Sequence, residues 1–108
     1  MRKVIFQIDD LKYFENLLIS EGIDQEERKN ILMGLDSFKA IYTLYGTNNS
    51  PDHYTLTDID GNKIMLNDLN GYQKGVILND CMAYFCGGSY HENSKEPFGV
   101  INIQELTV

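Results

Sequence analysis

Two cysteines and two histidines are the residues of this sequence best suited to metal binding or to nucleophilic catalysis. Cys81, Cys86 and His91 are separated by four residues each, and His53 could supply a fourth metal ligand. Thiolates and imidazoles are the usual ligands of structural zinc. On a helix, however, side chains five positions apart point about 140° away from each other. We therefore favour buried free thiols over a zinc site, and we expect no metal and no cofactor.

The same residues could act as a nucleophile and its base. Cysteine-dependent enzymes activate a thiol with a neighbouring imidazole. Cys86 precedes Gly87 and Gly88, and either His91 or His53 could accept the thiol proton. The sequence contains no glycine-rich phosphate loop, no Gly-x-Ser-x-Gly turn and no His-Glu-x-x-His motif. A small cysteine- and histidine-dependent enzyme therefore stands as an alternative function rather than as the leading one.

Carboxylates could hold a cation at two places in the chain. Asp9 and Asp10 follow a strand-like segment, where magnesium sites are common, but capping of the next helix explains them equally well. The segment 58–62 has the composition of a calcium loop. With Gly61 at the sixth loop position, however, Leu56 would occupy the first, and leucine cannot bind calcium. We therefore interpret Asp60 and Gly61 as a turn.

Charge and length predict one small acidic domain that spans residues 1–108. The chain has 16 Asp and Glu against 9 Lys and Arg, which gives a net charge of −7. About 100 residues are enough to bury a core without disulfides or metal. The negative charge disfavours direct binding to nucleic acid and to anionic membranes. It favours a basic surface on a partner protein, because opposite charges speed association.

The sequence predicts a cytoplasmic protein. The chain opens with Met1-Arg2-Lys3 and enters a strand-like segment directly, without the apolar stretch of a signal peptide. No apolar run reaches the length needed to span a membrane. Two cysteines do not make a disulfide framework.

The first predicted elements are a strand and a helix. Residues 4–8 predict a strand with Val4, Phe6 and Ile8 on one face and Ile5 on the other. Because both faces carry apolar side chains, we expect this strand to be a central one. A helix is predicted over residues 10–21, and Gly22 would end it. Its buried side would consist of Leu11, Phe14, Leu17 and Leu18.

The stretch from Asp24 to Gly46 predicts a second, longer helix around which the rest of the chain would be organised. Asp24 followed by Glu27 is the capping-box pattern. Steps of four and three residues create one apolar face. This face contains Ile31, Leu35, Phe38, Tyr42 and Tyr45, and Leu32 and Met33 widen it. Residues 40–45 are rich in β-forming residues and could instead be a strand, but we favour the helix because the apolar face stays in phase.

The second half predicts a hairpin, a helix and a closing strand. Residues 53–58 and 63–66 would pair across the turn at Asp60 and Gly61. A third helix would begin at Asn67 or Asp68 and reach Phe85. The competing interpretation is a hairpin of residues 76–78 and 81–85. Residues 98–106 would form the last strand.

This order of elements predicts an α+β fold. Strand, helix pair, strand, strand, helix and strand give the βαββαβ order of ferredoxin-like folds with a doubled first helix. The corresponding architecture is a four-stranded antiparallel sheet with helices on one face. Such folds host many activities, so the fold does not identify the function.

The acidic helix pair is the leading candidate for a binding surface. Its solvent side would carry Glu15, Glu21, Asp24, Glu26, Glu27 and Asp36, which Arg28 and Lys29 partly neutralise. Any surface helix has a charged outer face, but these carboxylates, together with exposed tyrosines, could also contact a basic protein surface. The predicted function is therefore that of a non-enzymatic inhibitor. It would occupy a basic surface of a partner protein, for example one that holds nucleic acid, as in phage anti-defence proteins or bacterial immunity proteins. A structural homo-oligomer, such as a homodimer formed through a sheet edge, is a further alternative.

Overall fold

The computed structural model describes residues 1–87 and 99–107, and it has an α+β architecture built on a four-stranded antiparallel sheet. The strands are β1 (Arg2–Asp9), β2 (Lys39–Thr47), β3 (Ser50–Asp58) and β4 (Val100–Thr107). The first two helices are α1 (Asp10–Ser20) and α2 (Gln25–Leu32). A 3₁₀ turn, Leu66–Asp68, precedes a continuous helical run formed by Gly71–Lys74, a π-helical segment Gly75–Cys81, and Met82–Cys86. We call residues 71–86 the C-terminal helix.

The strand order is β3-β2-β1-β4, so β1 lies in the interior of the sheet and pairs with both β2 and β4. The α1–α2 hairpin returns the chain to the end of the sheet that it left, and β2 therefore runs directly beside β1 in the opposite direction. In a ferredoxin-like arrangement a single helix separates two parallel strands, and another strand fits between them. The α+β class is confirmed, but the ferredoxin-like order is not.

The strand register collects the buried apolar side chains of the sheet on one face. Val4, Phe6 and Ile8 of β1 lie opposite Leu44, Tyr42 and Ala40 of β2. These residues form one core cluster with Leu56, Val100 and four residues from outside the sheet, namely Tyr13, Leu69, Cys81 and Phe85. We call this side of the sheet the inner face, and the opposite side the outer face.

The long helix predicted from Asp24 to Gly46 is wrong beyond Leu32. Helix α2 ends there, Gly34 adopts φ +84°, and residues 39–47 form β2. Positive φ is a conformation that glycine adopts without strain, so Gly34 favours termination of the helix. From Ala40 onward the buried positions alternate with period two, and pairing with strands on both sides outweighs the helical phase of the apolar residues.

The hairpin predicted across Asp60 and Gly61 is confirmed in its first strand, since residues 53–58 lie within β3, and in its turn, but its second strand is wrong. Beyond this turn only an isolated bridge joins Thr57 to Lys63, and no strand forms over residues 63–66. The actual hairpin joins β2 to β3 through Asn48 and Asn49, with Asn48 at φ 51°. The two strands approach closely next to this turn, and a side chain at Gly46 would collide with the carbonyl of Ser50.

The helical interpretation of the segment before Cys86 is confirmed, but its start is not. The helix begins at Gly71 rather than at Asn67 or Asp68. Asn70 and Gln73 form a reciprocal capping box: the Gln73 amide donates to Asn70 Oδ1 at 3.0 Å, and the Asn70 amide donates to Gln73 Oε1 at 2.8 Å. Gly87, at φ 74°, ends the helix.

The predicted N-terminal caps of α1 and α2 and the predicted end of α1 are confirmed. Asp9 caps α1 by accepting a hydrogen bond from the Leu11 amide at 3.0 Å. Gly22 follows α1 with φ 80°. Asp24 caps α2 by accepting a hydrogen bond from the Glu27 amide at 2.8 Å. These are local interactions between near neighbours in sequence, which explains why the sequence pattern located them.

Candidate functional site

The structure does not bring the predicted cysteine and histidine residues together. Cys81 is fully buried in the core on the inner face, whereas Cys86 is exposed at the end of the C-terminal helix. His53 lies on the outer face, where its ring stacks on Tyr45 with a centroid distance of 4.4 Å. The sheet therefore separates His53 from Cys81. His91 lies outside the described residues.

The environment of Cys81 disfavours a thiolate. Burial raises the pKa of the Cys81 thiol well above its usual value, and the adjacent Asp80 carboxyl adds to the effect. A thiol in such a setting remains protonated and is a poor nucleophile at neutral pH. Among residues 1–87 and 99–107, no three or more His, Cys, Asp or Glu side chains are arranged to hold a metal ion.

The two carboxylate segments considered for cation binding use their oxygen atoms to shape the backbone. Asp9 is the α1 cap, and Asp10 Oδ1 accepts a hydrogen bond from the Phe38 amide at 2.7 Å. Asp58 Oδ1 accepts from the Asp60 and Asn62 amides, each at 2.9 Å. The bonds from Asn62 are the main reason that the pKa of Asp58 is lowered. Both sites thus have a structural explanation.

The six predicted binding carboxylates all lie on the exposed surface of the α1–α2 hairpin and its continuation. They are Glu15 on α1, Glu21 at its end, Asp24 at the start of α2, Glu26 and Glu27 in the first turn of α2, and Asp36 beyond α2. Arg28 donates a hydrogen bond to the Ile23 carbonyl at 2.6 Å, which ties this basic side chain to the hairpin turn. All six carboxylates are thus exposed to solvent.

Helix α2 differs from every other long element because it buries no residue. It packs mainly on α1 rather than on the sheet. Met33 is 71% exposed, Leu35 46% and Ile31 37%. The long-helix prediction had assigned these three side chains to the core, so sequence reasoning missed them as surface residues. The glycine at position 34 was the available signal, because it lies just beyond α2 and favours the end of the helix before β2.

A shallow groove runs along this apolar surface. It has a volume of about 400 Å³ and is lined by Asp10, Leu11, Phe14, Ile31, Leu35 and Asp36. Its apolar side chains are thus flanked by two carboxylates. A second groove of about 520 Å³ lies beside Met33 and is lined by Glu15, Gln25, Arg28, Lys29 and Leu32 as well. We call the surface formed by Ile31, Met33 and Leu35 together with Asp10, Glu26, Glu27 and Asp36 the hairpin surface.

Within the described part of the chain, no helix has both the length and the apolar character required to cross a membrane. The chain matches no protein-family model, no curated protein and no solved structure.

Proposed function

We propose that this chain is a non-enzymatic binding protein that presents the hairpin surface to a basic surface of a partner protein. The observation that carries the proposal is that α2 buries nothing while Ile31, Met33 and Leu35 remain exposed beside it. Exposed apolar side chains beside charged ones are typical of protein interaction sites. Core stability does not explain α2, whereas recognition of a partner does.

The charge of the hairpin surface specifies the partner. Asp10 and Asp36 line the groove that contains Ile31 and Leu35, and Glu26 and Glu27 are exposed in the first turn of α2. A complementary partner segment would combine an apolar side chain with neighbouring lysine or arginine. Steering by opposite charges accelerates association, and burial of the apolar side chains slows dissociation.

We further propose that binding inhibits the partner. A basic surface on a protein commonly serves to hold the phosphates of nucleic acid, and an acidic protein that occupies this surface excludes the nucleic acid. Phage anti-defence proteins and bacterial immunity proteins are the classes to which this mode of action would assign the chain. In this proposal the helices cover only the inner face of the sheet, and the hairpin extends from that layer towards the partner.

The proposal is tested by affinity capture with two charge-reversal variants. The hairpin variant carries Glu26→Lys, Glu27→Lys and Asp36→Lys. The control variant carries Asp52→Lys, Asp60→Lys and Asp68→Lys, which are exposed residues elsewhere on the molecule. Both variants change the net charge by the same amount, so only the position of the change differs.

Tagged wild-type protein is expected to capture one basic protein from lysate and to release it at moderate salt, because screening weakens charged contacts. The hairpin variant should lose this protein and the control should retain it. Equal loss from both variants would show that net charge rather than the hairpin surface is responsible. Release that requires denaturant instead of salt would contradict the electrostatic mechanism.

A further inference from the structure

The outer face of the sheet differs in chemistry from the rest of this acidic chain. The register places these side chains there: Lys3, Ile5, Gln7 and Asp9 from β1; Lys39, Ile41, Thr43 and Tyr45 from β2; His53, Thr55 and Thr57 from β3; and Asn102, Gln104 and Leu106 from β4. Asp9, which pairs with Lys39, is the one acidic residue among them, although the chain contains 16 acidic residues. Among residues 1–87 and 99–107, most of the negative charge thus lies away from this face.

The middle of the outer face is apolar and closely packed. Thr43 is only 6% exposed, and Ile5 lies directly opposite it on β1. Ile41 and Leu106 are half-buried. At one end Tyr45 stacks on His53, and Lys3 Nζ lies 5.6 Å from the centre of the Tyr45 ring. Polar but uncharged side chains such as Gln7 and Gln104 surround this centre and are exposed.

We propose that the outer face packs against the outer face of a second copy of this chain to form a symmetric dimer. Two copies with a net charge of −7 repel each other wherever their carboxylates meet. The outer face is a surface on which they can approach with few such contacts, because it carries one carboxylate, Asp9, together with Lys3 and Lys39. A two-fold dimer brings the same patch together on both chains, which a surface of mostly uncharged side chains permits.

The dimensions of the sheet are sufficient for a weak dimer. Four strands of about eight residues cover roughly 19 by 26 Å, so that the two faces together bury about 1,000 Å². This area is at the lower limit for a specific interface. We therefore expect dissociation constants between about 1 and 100 µM.

Stacked sheets lie about 10 Å apart with their mean strand directions within roughly 30°. The helical layers then lie on the outside, where their carboxylates are separated by more than one Debye length, about 8 Å at physiological salt.

The dimer is tested by sedimentation equilibrium of the full chain and two matched variants. Gln7→Glu with Gln104→Glu adds two carboxylates to the outer face and is nearly isosteric. Gln25→Glu with Asn30→Asp adds two carboxylates to exposed positions of α2. The outer-face variant should raise the dissociation constant at least tenfold, and the α2 variant should change it by less than about threefold. Circular dichroism and thermal melting confirm that each variant is folded.

A third variant distinguishes the outer face from the sheet edge. Ile101, 49% exposed on β4, lies where the register of β1 and β4 shifts, and Ile101→Lys would obstruct pairing between two β4 edges. The dimer should tolerate this change. Loss of the dimer with Ile101→Lys but not with the outer-face variant would overturn the proposal in favour of edge pairing. A wild-type chain that remains monomeric up to about 1 mM would also overturn it.

Salt separates this interface from the one in the proposed function. Added salt should strengthen the dimer, because it screens the general repulsion between two acidic chains. The same salt should weaken binding of a basic partner to the hairpin surface. The two interfaces use different residues, so either can fail in experiment without the other.

Discussion

Helix α2 and the C-terminal helix have opposite roles in the fold. The C-terminal helix places Cys81 and Phe85 in the core with no measurable exposure, whereas α2 buries no side chain. The C-terminal helix is also held by Arg2, which donates a hydrogen bond to the Phe85 carbonyl at 2.6 Å and lies 4.5 Å over the Phe85 ring. The C-terminal helix stabilises the sheet, whereas α2 remains on the surface. A well-capped helix is therefore not by itself evidence of a structural role.

The largest expected effect is a difference in unfolding free energy between a substitution in the C-terminal helix and one beside α2. Phe85→Ala removes a ring that is fully buried against the sheet and should lower the free energy of unfolding by about 3–5 kcal/mol. Met33→Ala, at a side chain that is 71% exposed, should change it by less than about 0.5 kcal/mol. Urea denaturation followed by circular dichroism measures both. Similar losses of unfolding free energy in the two variants would show that the two helical regions contribute equally to stability.

The dependence of stability on alkaline pH should originate in the core that the C-terminal helix completes. Burial raises the pKa of the Cys81 thiol and of the Tyr42 hydroxyl, and Cys81 itself is a second cause for Tyr42. The folded state therefore holds these protons more tightly than the unfolded state. Stability should be complete below about pH 8.5, the usual value for a thiol, and should fall progressively at higher pH.

Cysteine variants measure how much the Cys81 thiol contributes to the loss of stability at alkaline pH. The decrease in unfolding free energy between pH 8 and pH 10 should be smaller for Cys81→Ala than for Cys86→Ala, which removes a thiol outside the core. Slopes are compared rather than absolute stabilities, because truncation of Cys81 also leaves a small cavity. Identical slopes in the two variants would assign the alkaline sensitivity to other groups.

The smallest expected effect concerns the caps of the two helices. Asn70→Ala breaks the capping box of the C-terminal helix and should lower the global free energy of unfolding by about 1 kcal/mol. Asp24→Ala removes a similar cap from α2. Since α2 is not part of the core, its loss should appear as faster amide exchange over residues 25–32, with a smaller global change. A global loss equal to that of Asn70→Ala would show that α2 folds as one unit with the core.

The predictable parts of the fold were those determined by local interactions. Asp24 with Glu27 and the glycine at position 22 were recognisable because a cap or a left-handed stop involves residues within a few positions of each other. The exposure of Asp24, Glu26 and Glu27 was predictable for the same reason, because these residues lie at the capped start of α2. The start of the C-terminal helix was misplaced because Asn67, Asp68 and Asn70 are all plausible caps, and only the reciprocal bond with Gln73 selects Asn70.

The segment around Gly34 shows why the remaining predictions were wrong. Residues 31–45 have apolar side chains that fit a helical face, yet those from residue 40 onward also fit a strand. The preference for a strand arises from backbone pairing with β1 and β3, which are distant in sequence. The exposure of Ile31 and Leu35 could not be predicted until that pairing had separated them from Tyr42.

The sequence by itself determined the acidic charge, the helical hairpin with its caps and the α+β class, since these depend on composition and on contacts between near neighbours. Only the tertiary structure decided that β2 lies beside β1, that α2 is displayed rather than buried, and that His53 and Cys81 lie on opposite sides of the sheet. These features depend on which strands pair. Pairing is set by burial and hydrogen bonding across the whole chain, which no local pattern encodes.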